Sequence, residues 1–438
     1  MLLDAVYLLL LGVLSPWLVW RAIRTGRYRR DLPAKLFGTV AVPADGRPTA
    51  WFHGVSVGEV HLLVTLVAAF RRRHPGWRVV VSATTDTGLA EARGRFPDVP
   101  VIAWPFDFSW AVGAALDRVR PRLVVLAEAE MWPNFLAAAA ARRVPVAVVN
   151  ARLSPRSFRR YQRVAGPARR LLFRHVARIA VQSAEYADRF RRLGVPAGKL
   201  RETGSVKYDG AIGNRDTTKG RELARLLSLS RDAERSANLL WVAGSTHAPE
   251  ESHVLAAFHE LRPRFPNLRL ILVPRHPDRF AEVAALLAAS GLAFARRSEL
   301  TDPPAEPPAV LLLDTVGELG AAWGLADVGY VGGTLDGRRG GQSMIEPAGY
   351  GVPTVFGPHV WNFRDAAARL VEAGGAVMIR DAGELAAAVG DLLADADRRR
   401  ATGGAARRLV RAQQGATERT LAVLDELTGE PAGVERAA

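Results

Sequence analysis

The segment WFHGVSVGEV, Trp51–Val60, sets a carboxylate beside a turn of small residues. Gly54, Ser56 and Gly58 let a substrate approach the backbone there, and Glu59 stands in the first turn of the helix that must follow. The N–H groups at that helix start favour an anion. The carboxylate itself suits a first-turn helix stabiliser. Glu128 and Glu130, in LAEAEMWPN, follow another apolar run. One residue apart, they point to opposite sides of an extended backbone, which leaves one for a cleft and one to hold its loop. Downstream, NARLSPRS offers Asn150, Arg152 and Ser154, and GSVKYD offers Lys207. Each is a weak signal alone, but together they line one edge of one sheet.

The second half of the chain has chemistry suited to a phosphate. Gly244, Ser245, Thr246 and His247, in GSTHAPEE, run off an apolar strand into a helix and offer backbone donors, two hydroxyls and an imidazole. Arg275, His276 and Pro277 do the same in LVPRHPDRF. The stretch VGGTLDGRRGGQSMIEPAGYGVP contains Gly332, Gly333, Gly340 and Gly341 for close backbone approach. It also contributes Gln342, Ser343 and Glu346, the last placed to accept hydrogen bonds from ribose hydroxyls. A lone glycine-rich loop is commonly a tight turn, whereas several at successive strand ends point to a nucleotide. The nine histidines show no paired metal-ligand spacing, and no carboxylate motif supplies a metal, so metal ligands are expected to be none. There is neither a Walker A lysine nor a G-x-S-x-G elbow.

Short apolar runs alternating with helix-length segments must position these groups. Runs at Thr49–His53, Arg78–Ser82, Val101–Ala103, Leu123–Ala127, Val146–Val149 and Arg178–Val181 form one βαβ series. A polar break follows, and the series resumes at Leu239–Ala243, Leu268–Val273, Val310–Leu313, Val328–Val331 and Thr354–Phe356. The expected fold class is α/β: two doubly wound, Rossmann-like domains facing a cleft, with ligands beyond the carboxyl ends of parallel strands. The expected boundaries are an anchor and basic segment over 1–30, a first α/β domain over 31–209, a connector over 210–238, a second α/β domain with the nucleotide-like loops over 239–415, and a C-terminal helix and tail over 416–438.

Of 438 residues, 49% are hydrophobic and none is cysteine, so disulfides, thiolate metal sites and cysteine nucleophiles are excluded. The net charge of +15 favours an anionic partner. Between Glu130 and Glu185 there are eleven arginines and no carboxylate. That block suits an anionic surface, although it also suits a merely solvated face. Ala5–Trp20 is uncharged and is followed by Arg21, Arg24, Arg27, Arg29 and Arg30. Positive charge after the apolar run, not before it, argues against a cleaved signal and places the body on the cytoplasmic side of an uncleaved anchor. A helix buried in the globular body is the alternative, since Pro16 interrupts the run.

The ordered motifs WFHGVSVGEV, LAEAEMWPNF, NARLSPRS, GSVKYD, GSTHAPEE, LVPRHPDRF, DTVGEL and ADVGYVGGTLDGRRGGQSMIEPAGYGVPTVFGP resemble the 3-deoxy-D-manno-octulosonic acid (Kdo) transferase family of lipid A biosynthesis. The resemblance spans nearly the whole chain and implies a GT-B glycosyltransferase, with an acceptor-binding N-terminal domain and a CMP-Kdo-binding C-terminal domain. It implies Glu59 as the catalytic base and assigns motif positions to Glu130 and Glu128. One departure stands out, because the family pattern has His-Asn where this chain has Gln342-Ser343. The resemblance also implies CMP-Kdo as co-substrate with no separate cofactor, a lipid A precursor as acceptor, the cytoplasmic face of the inner membrane as location, and no nucleic acid partner. Two other classes stay open: another GT-B enzyme, such as a UDP-sugar transferase or UDP-N-acetylglucosamine 2-epimerase, and a non-catalytic membrane-attached binding protein.

Overall fold

Runs such as Pro121–Ala127 (PRLVVLA), almost wholly buried, can only be strands covered on both faces, which is the environment of a parallel sheet. The computed structural model describes residues 2–25, 31–43, 45–128, 130–211, 213–229 and 239–429. The chain divides into two units, Met1–Asp209 with Gln414–Ala438, and Gly210–Gln413.

The first unit contains β1 (Thr49–Gly54), β2 (Arg78–Ala83), β3 (Val101–Ala103), β4 (Pro121–Ala127), β5 (Val146–Ala151), β6 (Arg178–Val181) and β7 (Leu200–Glu202). Their order is β3-β2-β1-β4-β5-β6-β7, every pair parallel. Successive side chains of β1 serve opposite cores: Trp51 packs with Trp104 and Phe135 on one face, and Ala50 and Phe52 with Phe70 on the other. The chain reverses its direction of growth between β1 and β4, so a crevice opens beyond their carboxyl ends.

The second unit contains β8 (Leu239–Thr246), β9 (Leu268–Pro274), β10 (Phe294–Arg296), β11 (Val310–Leu312), β12 (Val328–Val331), β13 (Thr354–Phe356) and β14 (Ala376–Met378). They run β10-β11-β9-β8-β12-β13-β14, again all parallel. Here the reversal falls between β8 and β12. The eleven expected strands are all present. The three that were not expected, β7, β10 and β14, are three-residue strands at sheet edges. Two of them, LRE and FAR, contain charged residues and so show no apolar run, and the third, AVM, is too short to stand out from the helices around it.

Two segments fold differently from the expected boundaries. Residues 210–229, read as a polar connector, fold with the second unit: the Thr218–Leu226 helix buries Leu223 and Leu226, and Arg215 Nε donates to the Tyr350 carbonyl at 2.8 Å. The remainder of that connector, 230–238, lies outside the described residues. The C-terminal helix Ala416–Thr428 joins the first unit. Asp209, where the chain leaves that unit, accepts hydrogen bonds from Gly415 and Thr417 N–H, where it returns. Asp425 then meets His74 at 2.8 Å and Arg73 at 2.8 Å, and Glu426 meets Arg178 and Arg201. The tail 430–438 lies outside the described residues.

The N-terminal apolar run forms one helix, Leu2–Thr25, which continues through Pro16. Its N-terminal end is fastened to the first unit. Asp4 is buried and accepts hydrogen bonds from Ser109 N–H (2.8 Å) and Asn134 Nδ2 (3.1 Å), and Tyr7 donates to Asp107 at 3.0 Å. Beyond that end, large apolar side chains including Leu9, Val13, Trp17 and Trp20 are exposed. Among the described residues, no helix is long and apolar enough to cross a membrane. Arg27, Arg29 and Arg30 lie outside the described residues.

Candidate active site

In the first unit the carboxylates lie at the sheet's reversal point, Glu59 after β1, and Glu128 and Glu130 after β4. Ser56 caps the Val57–Arg73 helix with extended backbone, which puts Glu59 three residues into it. Glu59 Oε2 accepts from Val55 N–H at 2.6 Å, and Oε1 accepts from the Ser56 hydroxyl at 3.1 Å. Gly54 makes room beneath it, since a Cβ there would stand 3.0 Å from Glu59 Cβ. Glu59 therefore braces the turn as a helix-start acid would. Its proton affinity goes further: burial, reinforced by Glu128 and Glu130, pushes its pKa up to about 7. That value suits a group that must take a proton near neutral pH.

Glu128 is not extended. Its φ of +57° lies in the left-handed region, so alternation along a strand does not decide where the two acids point. Arg152 Nε (3.0 Å) and Lys207 Nζ (3.3 Å) both donate to the Glu128 carboxylate, which is thereby the acid that holds the loop. Among the described residues the Glu130 carboxylate has no hydrogen-bond partner, and burial together with Glu128 raises its pKa. Asn150, fully buried with φ +54°, accepts from Val206 N–H at 3.1 Å and so ties the end of β5 to the segment that carries Lys207. Ser154 caps the Pro155–Gln162 helix by accepting from Ser157 N–H. Gly58 lies between Ser56 and Glu59 in the first turn of its helix.

In the second unit the reversal point brings together the loops after β8 and β12. Gly332 N–H donates to the Gly244 carbonyl at 2.9 Å, and a Cβ on Gly332 would stand 2.5 Å from the Ser245 carbonyl oxygen. Only glycine fits there. Thr246 is buried, and its carbonyl accepts from Arg275 N–H, which joins the loop after β8 to the one after β9. His247 lies 5.2 Å from His276, ring to ring, and 3.2 Å from Gln342 Nε2. Burial, Arg339, His276 and Arg275 push its pKa down to about 4, so it is neutral at pH 7, and its Nδ1 has no partner among the described residues. His276, next to Pro277 at the start of a short 3-10 turn, is also lowered, by burial and Arg275. Ser343 hydrogen-bonds Glu346, and Arg275 acts on that carboxylate electrostatically, each opposing the rise that its protein surroundings impose. Glu346 is nonetheless solvent-exposed. Gly333, Gly340 and Gly341 all adopt positive φ, and a Cβ on Gly340 would collide with Trp361.

Two organising residues escaped the sequence reading. Glu250, fully buried, accepts from His247 N–H (3.0 Å), Gly333 N–H (2.7 Å), Thr334 N–H (2.9 Å), Leu335 N–H (3.2 Å) and the Tyr330 hydroxyl (2.8 Å). It binds the loop after β12 much as an anion would be bound, and so shapes it. Glu251 is likewise buried and pairs with Arg279 at 2.6 Å. In sequence both look like ordinary acids opening a helix, because burial is the property that sets them apart.

Two parallel-sheet α/β units, each with one reversal of strand order, make this a protein of the GT-B fold class. A UDP-GlcNAc 2-epimerase from Neisseria meningitidis bound to UDP-GlcNAc shares this fold (TM-score 0.57, 11% identity, covering 87% of this chain and all of that one). So does HepE of Anabaena in complex with UDP and glucose (TM-score 0.54, 14% identity, 87% and 100%). At those identities the likeness is one of fold. The sequence decides further: residues 24–210 match the family described as 3-deoxy-D-manno-octulosonic-acid transferase. A 3-deoxy-D-manno-octulosonic acid transferase of Bordetella pertussis is 37% identical over 97% of this chain and 99% of its own, and one of Haemophilus influenzae is 32% identical over 92% of each. The chain belongs to the Kdo transferase family and is a Kdo glycosyltransferase; the readings as a UDP-sugar enzyme or a binding protein give way to it.

Proposed function

We propose that the protein transfers Kdo from CMP-Kdo to a lipid A precursor of the lipid IVA type, by an inverting displacement that needs no metal, at the cytoplasmic face of the inner membrane. Support comes chiefly from Glu59, a carboxylate with a pKa near 7 at the sheet reversal. It takes the acceptor hydroxyl proton as that oxygen bonds to the anomeric carbon of Kdo. The bond from that carbon to the CMP phosphate breaks, and its electron pair leaves with CMP. Burial, with Glu128 and Glu130, keeps Glu59 basic enough for this step, and Arg152 and Lys207 fix Glu128. In the second unit Arg275 and the loop after β8 take the departing phosphate, since fixed cations and N–H donors stabilise charge as it develops. Neutral His247 offers its unpartnered Nδ1, and Glu346 accepts from ribose hydroxyls. The exposed apolar side chains of Leu2–Thr25 support burial of that helix in a membrane interface.

The test is incubation of purified protein and a tetra-acylated lipid A precursor with CMP-Kdo or with UDP-sugars, with and without EDTA, followed by mass spectrometry of the lipid. A mass increase of one or more Kdo units from CMP-Kdo alone, unaffected by EDTA, is expected. Transfer from UDP-sugars, or loss of transfer on chelation, would overturn the donor or the metal-free step respectively.

A further inference from the structure

The carboxylates sit at the carboxyl edge of the first sheet. At its amino edge the arginine-rich stretch builds a separate feature. Residues Ala165–Leu171 and Phe173–His175 lead into β6, and Ala197–Lys199 leads into β7. Between them lies an open cavity of about 510 Å³ lined by Arg169, Arg170, Arg174 and Lys199, with apolar walls from Phe173 and Pro196 and no carboxylate.

Two of these cations, Lys199 and Arg169, are positioned without being neutralised. Lys199 Nζ donates to the carbonyls of Phe173 (3.2 Å) and Arg174 (2.9 Å), which fix the ammonium but leave its charge unopposed. The stem of Arg169 crosses Gly194, whose φ is +86°, and a Cβ there would stand 3.1 Å from Arg169 Cδ. Glycine thus serves both the turn and the approach of the arginine. Among the described residues Arg169, Arg170 and Arg174 have no carboxylate partner, whereas nearby Arg178 and Arg201 share Glu426 and Arg189 has Glu185. The positive field also reaches His175, whose pKa is lowered by burial, Arg174 and Lys199. Four like charges around one opening repel each other unless an anion enters.

We propose that this cavity binds a phosphate ester, its phosphate held by the three arginines and Lys199 and its apolar portion lying against Phe173 and Pro196. Arginine forks suit phosphate oxygens, and the mixed lining suits an ester better than a bare ion. Because the cavity precedes the amino ends of β6 and β7 whereas Glu59 follows the carboxyl end of β1 in the same parallel sheet, an occupant is an ancillary ligand and not the reacting substrate. Its source is either a phospholipid headgroup or a soluble phosphate ester.

The experiment compares the full chain with the double variant Arg169→Glu/Arg174→Glu and the conservative pair Arg169→Lys/Arg174→Lys. One arm measures thermal stabilisation by glycerol 3-phosphate at constant ionic strength; the other measures cosedimentation with phosphatidylglycerol vesicles relative to phosphatidylcholine vesicles. Binding at least about tenfold weaker in the glutamate pair is expected, with the lysine pair much closer to wild type. Arg275→Ala protein should respond as wild type does, which separates this cavity from the donor site. An effect in the soluble arm identifies a free ester, and one confined to vesicles identifies a headgroup. Equal binding of both probes by wild type and a folded glutamate pair, or no binding by wild type, overturns the proposal. Should that pair not fold, Arg170→Glu is read by the same criteria.

Discussion

Glu59 has two jobs that one substitution can separate. Glu59→Gln keeps an oxygen to accept from Val55 N–H but cannot take up a proton. A lost general base costs about 10²–10⁴-fold in rate, whereas a lost helix-start charge costs about 0.3–1 kcal/mol of stability and spares turnover. Folded Glu59→Gln protein is expected to show the first effect, with CMP affinity unchanged. Transfer within a few-fold of wild type would make Glu59 structural and move the search to Glu130. The sign of the pH dependence follows from the raised pKa: below about 7 the carboxyl is protonated and inert, so kcat/KM should rise with pH and level off above that value. Removing the neighbouring charge in Glu130→Gln makes Glu59 more acidic and should move this limb to lower pH. Loss of the limb altogether in folded Glu59→Gln protein, with whatever rate remains independent of pH, would identify Glu59 as the titrating group; a limb that persists there would show that it is not. In the second unit, Arg275→Ala should weaken CMP binding by about 1.5–3 kcal/mol, the worth of a charged hydrogen bond. Calorimetry with CMP checks this, and unchanged affinity would place the nucleotide elsewhere.

Among the elements, the N-terminal helix is fastened into the first unit. Asp4 receives the first N–H of the Ser109–Val119 helix, and Asp107, which receives Tyr7, also receives the N–H groups of Asn134 and Phe135 at the start of Pro133–Ala141. Two helix starts near the carboxyl edge of the sheet thus depend on contacts from the first two turns of the N-terminal helix. Asp4→Ala should cost about 0.5–2 kcal/mol in denaturant unfolding, as lost N-caps do. Deleting residues 2–25 should both release protein from membranes and lower its melting temperature. A truncated protein that stays on membranes in high salt, or melts as the full chain does, would contradict this account.

For the whole molecule, the return of the chain to the first unit makes that unit discontinuous in sequence. Chain termination after Gln413 would remove buried Leu421 and Leu424 along with the pairings of Asp425 and Glu426. The loss of two buried leucines alone should cost the first unit more than about 4 kcal/mol. Calorimetric scanning should show its transition lowered or lost, while the second unit keeps CMP binding. Unchanged unfolding of the first unit would mean that the C-terminal helix adds little.

Much of this molecule was legible before any coordinates. The buried parallel strands appear as short apolar runs because both their faces are covered, and the loops at their carboxyl ends contain the glycines and polar groups that a ligand site needs. Glu59, Glu128, Glu130, Arg275 and Glu346 could be named for that reason. Tertiary structure alone decided their division of labour. Glu128 takes the loop-holding role because its φ is positive and Arg152 and Lys207 converge on it, and those partners come 24 and 79 residues later. Glu250 organises the loop after β12 through donors more than eighty residues away, yet in sequence it is one more acid at a helix start. The C-terminal helix joins the first unit through Asp209, Arg73 and Arg178, distant in the chain. Local pattern records which residues are apolar, small or charged, and so determines the elements and their edges. Which distant groups meet, and hence which carboxylate is buried, paired or left basic, depends on packing, which has no period in the sequence.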